Sequence, residues 1–190
     1  MPLILEGLVT TLAEDGTMHL APMGPIVDRE MRTLLLRPFP TSQSFQNLKR
    51  HREGVFHVTD DAAMIAYAAV GERRTGISHR SAMKVKGFIL ESACRAYEFV
   101  VRSIDESGQR VHIEAEIVHS TTLREFFGFN RAKHAVIEAA ILTTRFDYLD
   151  LDDIAKEFEK FAVIIEKTGG AEEHEAFAIL RARLRQHREE

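Results

Sequence analysis

Leu34-Leu35-Leu36-Arg37-Pro38-Phe39-Pro40-Thr41-Ser42-Gln43-Ser44-Phe45-Gln46-Asn47-Leu48 changes character twice within one short stretch. Leu34 to Leu36, closed by Arg37, is an apolar run of the length expected for a short buried strand. Two prolines follow, and proline can neither donate to a sheet ladder nor continue one. Thr41 or Ser42 then supplies a capping hydroxyl, and the pattern predicts a short helix from Thr41 to Arg50. A strand therefore ends in an arginine beside the N-terminus of a helix. Free amides and the positive end of the helix dipole favour an anion at such a tip. Arg37 adds a planar donor pair and Thr41, Ser42 and Ser44 add neutral donors, a set that suits a terminal phosphate monoester. An ordinary capped helix with a solvated arginine accounts for the same residues equally well.

Upstream, Leu3 to Leu12 reads as a strand, Glu14-Asp15-Gly16 as a turn, and Met18-His19-Leu20 as the return strand. This runs into Ala21-Pro22-Met23-Gly24-Pro25. The prolines argue for an extended but unpaired segment, with the amides of Met23 and Gly24 and nearby carbonyls left free. A flat heterocycle with alternating donors and acceptors suits that backbone edge. A proline-bounded edge strand or bulge with no ligand is the competing account.

Downstream, Val55 to Val58 reads as a strand, and Thr59-Asp60-Asp61 caps a helix through Val70. Gly71 to Ala82 is a polar loop whose Arg73, Arg74, His79 and Arg80 could close over a ligand or serve only as a soluble surface. Lys84–Ile104 and Arg110–Ser120 look like two long strands joined by an Asp105–Gly108 turn. In the second, Val111, Ile113, Ala115 and Ile117 alternate with His112, Glu114, Glu116 and Val118, so one side is wet. From Phe126 the pattern becomes helical: Asn130–Arg145, Asp152–Lys167 with Ile154, Phe158, Phe161 and Ile165 on one edge, and Glu172–Arg188 with Phe177, Leu180 and Leu184. Gly169-Gly170 stops the middle helix, and the last two helices are expected to form an antiparallel hairpin.

Composition narrows the function classes. The 190 residues carry a net charge of −4 with both signs interspersed, which does not suit nucleic-acid binding. No apolar run reaches the length of a membrane span, and Met1 to Glu6 lacks the basic region of a signal peptide, so a cytoplasmic protein is expected. Cys94 is the only cysteine and reads as a small packed residue in a strand. The nine histidines do not fall at metal-ligand spacing, so no metal is expected. There is no GxxxxGK[ST], GxGxxG or GxSxG motif, and so no P-loop, dinucleotide fold or nucleophile elbow.

The order of strand, Asp15-Gly16 turn, His19-Leu20-Ala21-Pro22-Met23-Gly24, the Leu36–Leu48 stretch and Gly54-Val55-Phe56-His57-Val58-Thr59-Asp60-Asp61 resembles the FMN-binding split-barrel proteins. These form the flavin reductase-like and pyridoxamine-phosphate-oxidase-like superfamily. Adding Phe129-Asn130-Arg131-Ala132-Lys133-His134-Ala135-Val136-Ile137-Glu138-Ala139-Ala140-Ile141-Leu142-Thr143-Thr144-Arg145, the likeness is greatest to an uncharacterised family, domain of unknown function 447. The resemblance implies an α+β fold: a split β-barrel over residues 1–125 and a C-terminal helical subdomain over 126–190. It implies a homodimer holding two FMN molecules near the subunit interface. Ala21, Pro22, Met23 and Gly24 would line the isoalloxazine. Arg37, Thr41, Ser42 and Ser44 would hold the phosphate, with Asn47 bracing that loop or the ribityl chain. Many relatives carry Asn where His19 and His57 stand, so His57 is given no role.

Arg131, His134, Glu138 and Arg145 share one stripe of the Asn130–Arg145 helix, flanked by Ile141 and Leu142. The stripe reads as partly covered or as an ordinary solvated face, and Arg131 at its start is the residue most suited to touch phosphate. Three activities follow: an FMN-dependent oxidoreductase or flavin reductase working with a nicotinamide or small-molecule acceptor, a non-catalytic flavin carrier or electron-transfer protein, or a dimeric interaction module without flavin.

Overall fold

The strands expected in the first two-thirds of the chain pair into one curled antiparallel sheet. The structure, a computed structural model, describes residues 3–72, 74 and 76–189. The strands are β1 (Leu3–Ile4), β2 (Gly7–Leu12), β3 (Met18–Met23), β4 (Ile26–Val27), β5 (Thr33–Leu36), β6 (Glu53–Val58), β7 (His79–Ser81), β8 (Phe88–Leu90), β9 (Arg95–Asp105) and β10 (His112–Thr122). The helices are α1 (Gln43–His51), α2 (Ala62–Ala69), α3 (Arg131–Thr143), α4 (Leu151–Thr168) and α5 (Ala171–Glu189). Eight strands form the half-barrel sheet in the order β1-β4-β5-β10-β9-β6-β2-β3, and β7 with β8 forms a separate small sheet.

The chain divides into two units, Met1–Thr59 with Ile77–Phe126, and Asp60–Gly76 with Phe127–Glu190. The first is the barrel unit. Its core gathers Val9, Leu34, Leu36, Phe45, Phe56, Phe99 and Ile113 on one face of the sheet. On the opposite face, Val55, Ile89 and Ala96 bury against Val85 and Leu123. β6 thus has apolar residues on both sides, which explains its unbroken run Val55-Phe56. β10 keeps the expected alternation, with Val111, Ile113 and Ala115 buried and His112, Glu114 and Glu116 exposed. Where β2 crosses β6 the sheet curls tightly. A Cβ on Gly7 would strike the His57 carbonyl and the Phe56 ring, and one on Gly54 would lie 2.6 Å from the Phe99 ring.

Lys84–Ile104 is not one strand. Phe88–Leu90 pairs with β7, and the chain turns through Glu91–Cys94 before joining the large sheet at Arg95. Cys94 is buried but sits in that turn rather than in a strand, with its N–H on the Val58 carbonyl. The turn before β8 is organised by two acidic side chains. The carboxylate of Glu98, wholly buried, accepts the N–H groups of Met83 (2.9 Å), Lys84 (2.6 Å) and Val85 (3.2 Å), and Glu53 accepts that of Lys86 (2.6 Å).

His57 is also wholly buried, and its tautomer follows from its partners. The Leu90 N–H can only donate, so Nε2 accepts it (3.1 Å) and Nδ1 carries the hydrogen facing the Leu8 carbonyl (3.3 Å). Burial pulls its pKa from 6.5 to about 4, against the smaller upward pull of the Leu8 carbonyl.

The helical unit takes in α2 as well as the three C-terminal helices, so its membership begins earlier than a division at residue 125. The reason is compositional: Ala62 to Ala66 are all buried, and this small-residue helix packs on α3 and α5. α4 buries Ile154, Phe158 and Ile165, while α5 buries Phe177, Leu180 and Leu184. Phe158 stacks on Phe177 with centroids 5.5 Å apart, and the pair Arg188–Asp152 joins the end of α5 to the start of α4, as in an antiparallel hairpin. On α3 the alanine-rich face Ala132, Ala135, Val136, Ala139 and Ala140 is buried. The stripe Arg131, His134, Glu138 and Arg145 is exposed on the single chain. Among the described residues, no helix is long and apolar enough to cross a membrane, and no three or more His, Cys, Asp or Glu side chains group as a metal site.

Two stability measurements check these assignments. His57 binds no proton between pH 6.5 and 4 when folded but does when unfolded, so stability falls as pH drops through that window. Urea unfolding should show a loss of about 2 kcal/mol from this residue between pH 7 and pH 5, and His57→Gln should flatten that slope. Glu98→Gln keeps the shape but turns an amide nitrogen toward three amide donors, and should cost about 2–3 kcal/mol by the same measurement.

Candidate functional site

β3 is the last strand of the sheet, paired with β2 on one side through the register Gly7↔Met23, Leu8↔Pro22, Val9↔Ala21. The expectation that Ala21–Gly24 is unpaired is therefore corrected. Ala21, Pro22 and Met23 belong to the ladder, and Gly24 directly follows it. Pro22 is tolerated because an edge strand needs donors on one side only. All three strand residues are half-buried. A side chain at Gly24 would meet the Glu6 carboxylate, whose Oε1 lies 2.6 Å from the Cβ position.

Helix α1 lies against β2 and β3 and is fastened to both. The buried Asn47 donates from Nδ2 to the Thr11 hydroxyl (2.9 Å) and accepts from Gln43 Nε2 (2.8 Å). The buried Ser44 hydroxyl is paired with His19 Nε2 at 3.1 Å. β3 and the first turn of α1 are thus joined by a direct hydrogen bond between His19 and Ser44. His19 went unassigned in the sequence because the residue type alone does not show that β3 faces α1.

The predicted phosphate residues divide by what their groups are doing. Ser42 is the N-cap: its hydroxyl accepts the Phe45 N–H (3.2 Å) and donates to the Phe39 carbonyl (2.8 Å). The first backbone amide with an intrahelical partner is that of Gln46, which bonds the Ser42 carbonyl. The amides of Gln43 and Ser44 are the first-turn donors left pointing off the helix end. Thr41 is exposed beside them. α1 carries no acidic residue in its first turn, and Lys49, Arg50 and His51 complement the dipole in its last.

The turn from Arg37 to Pro40 has an unusual polarity. Its carbonyls all have protein donors: Arg37 from Arg110 Nη1 (3.2 Å), Pro38 from the Val111 N–H (3.2 Å), Phe39 from Ser42, and Pro40 from Gln46 Nε2 (3.0 Å). What the turn and tip have left to offer is donors. Among these is Arg37 Nε, buried and without a partner among the described residues. A buried donor left unpaired costs free energy. His51 Nε2 is likewise buried and unpartnered, but it closes the other end of α1.

Other predicted residues belong to other elements. Arg131 is the exposed first residue of α3 in the helical unit. Arg73 lies outside the described residues. Arg74 is committed to ion pairs with Asp61 (3.0 Å) and Glu172 (3.1 Å) within the helical unit. His79 packs edge-on against Phe88, with ring centroids 5.2 Å apart, and Arg80 lies in β7. Arg110, which the sequence did not single out, stacks its guanidinium 3.4 Å from the Phe39 ring centroid.

Comparison with solved structures finds this fold elsewhere. An FMN-bound protein of Methanosarcina mazei superposes with a TM-score of 0.81 at 18% identity, covering 96% of each chain. A flavin reductase solved with NADP+ matches with a TM-score of 0.56 at 16% identity, covering 67% of this chain and 82% of its own. The 2-nitrobenzoate 2-nitroreductase of Pseudomonas fluorescens matches with a TM-score of 0.53 at 17% identity, covering 64% and 66%. No curated protein sequence matches. Two family models do: the N-terminal domain of a protein family of unknown function (DUF447) over residues 5–124, and that family's second model over residues 130–182. With matches that leave out only the ends and a short join, the chain belongs to the DUF447 family.

Proposed function

We propose that the barrel unit binds FMN, with the phosphate at the tip of α1 and the ring along β3, and that the protein is a flavin-dependent oxidoreductase or flavin reductase. The observation that carries this reading is the buried, unpartnered Arg37 Nε beside a turn whose carbonyls are already engaged. A dianionic phosphate monoester needs donors and no competing acceptors, and this corner supplies that combination. Arg37, Thr41, Ser44 and the amides of Gln43 and Ser44 would hold the phosphate. Ser42 shapes the tip as its cap, and Asn47 braces α1. The half-buried Ala21–Met23 edge, with Gly24 beyond it, would lie along the isoalloxazine. The FMN-bound relative of the same fold supports the choice of ligand.

FMN, when bound, supplies the two-electron hydride chemistry, and the protein supplies position and a water-poor edge. No side-chain acid or base is required for that transfer. The flavin reductase solved with NADP+ supports a nicotinamide as the reductant. The reading also includes a homodimer in the cytoplasm: Phe127 and Phe129 are 87% and 89% exposed, an apolar surface that a second copy would cover.

Titration of the protein with FMN, followed by flavin fluorescence, should show saturable binding. Arg37→Ala should weaken it by about 1–3 kcal/mol, the value of a charge-assisted bond. A protein that leaves FMN fluorescence unchanged would remove the reading. Separately, NADH or NADPH should bleach the bound flavin, and reoxidation by excess free flavin should give turnover. Tight binding without reduction by either nicotinamide would instead identify a flavin carrier.

A further inference from the structure

Resting on the FMN reading, we propose that Arg110 is a positioning residue of the phosphate site, acting through Arg37. Arg110 lies 73 residues from Arg37 in sequence, in the hairpin loop between β9 and β10. It makes two contacts with the Arg37–Pro40 turn. Its guanidinium carbon lies over Phe39, 3.4 Å from the ring centroid, and its Nη1 donates to the Arg37 carbonyl. The next residue, Val111, donates its N–H to the Pro38 carbonyl. On the other side of the same loop, Glu106 pairs with Lys49 of α1 at 2.7 Å. The hairpin loop therefore buttresses the turn and the helix that together frame the phosphate corner.

The turn needs such support. Pro38 and Pro40 supply no N–H groups, so the segment cannot hold itself by a backbone ladder. It is kept in shape by donors reaching its carbonyls from outside. Arg110 also engages the carbonyl of the residue that carries the buried, unpartnered Nε. That removes an acceptor from the corner where an anion would sit. Its extended guanidinium covers the ring and donates through its fork at once, a geometry that lysine's compact ammonium does not reproduce. The consequence is selectivity for the phosphorylated flavin: Arg110 pre-organises Arg37, and the gain appears only when a phosphate is present.

The test compares dissociation constants for FMN and riboflavin in wild type, Arg110→Ala, Arg110→Lys, Arg37→Ala and the double variant Arg37→Ala/Arg110→Ala. Thermal melting accompanies each to verify folding. Both Arg110 variants should bind FMN about tenfold more weakly, as for loss of one modest interaction, with riboflavin unchanged. Adding Arg110→Ala to Arg37→Ala should have no further effect. Equal weakening for both flavins, or unaltered FMN affinity, would overturn the assignment. Fully additive losses in the double variant would also overturn it, because Arg110 would then touch the phosphate itself. A wild-type protein that takes up neither flavin would overturn the FMN reading and this inference together, whereas the other failures leave FMN binding intact.

Discussion

Two side-chain hydrogen bonds fasten α1 across the edge of the sheet, Asn47 to Thr11 and His19 to Ser44. Asn47, Thr11 and Ser44 are buried, so an unmade bond at any of them would be costly. This fixes where the helix tip lies relative to β3, which no feature of the helix alone could do. The tip then sets the turn before it, because Ser42 returns its hydroxyl to the Phe39 carbonyl. From that point outward, the polarity of the corner follows from carbonyls that are already engaged.

The parts of this arrangement legible in the sequence are those governed by neighbours in the chain. Leu34 to Leu48 announces a strand, a proline break and a capped helix, and each is where local rules place it. The alternation of β10 and the apolar edges of α4 and α5 are equally local. The sequence could not show which strand faces which helix. His19 and Ser44 are 25 residues apart, and Glu98 holds amides 13 to 15 residues before it. Only the folded sheet brings such groups together. The misread Lys84–Ile104 segment has the same origin: strand propensity is present throughout, but a separate partner, β7, captures its first part.

The polar reading of Ala21–Gly24 shows how a correct chemical premise can yield a different structure. Proline does remove donors, yet an edge strand asks for donors on one side only. Pro22 therefore sits within the β2–β3 ladder, directly opposite Leu8. Buried polar groups elsewhere in the barrel follow a common rule. Glu98 and His57 are both wholly enclosed, and each meets backbone groups with the matching sense of donation.

The terminal position of β3 has a bearing on how the protein behaves at high concentration. An outermost strand exposes a row of backbone groups on which a foreign chain could template, and such templating leads to fibres. Pro22 sits near the end of that row, where its ring breaks the continuity an incoming strand would require. The residue that interrupts this row thus makes the edge a poor seed for self-association.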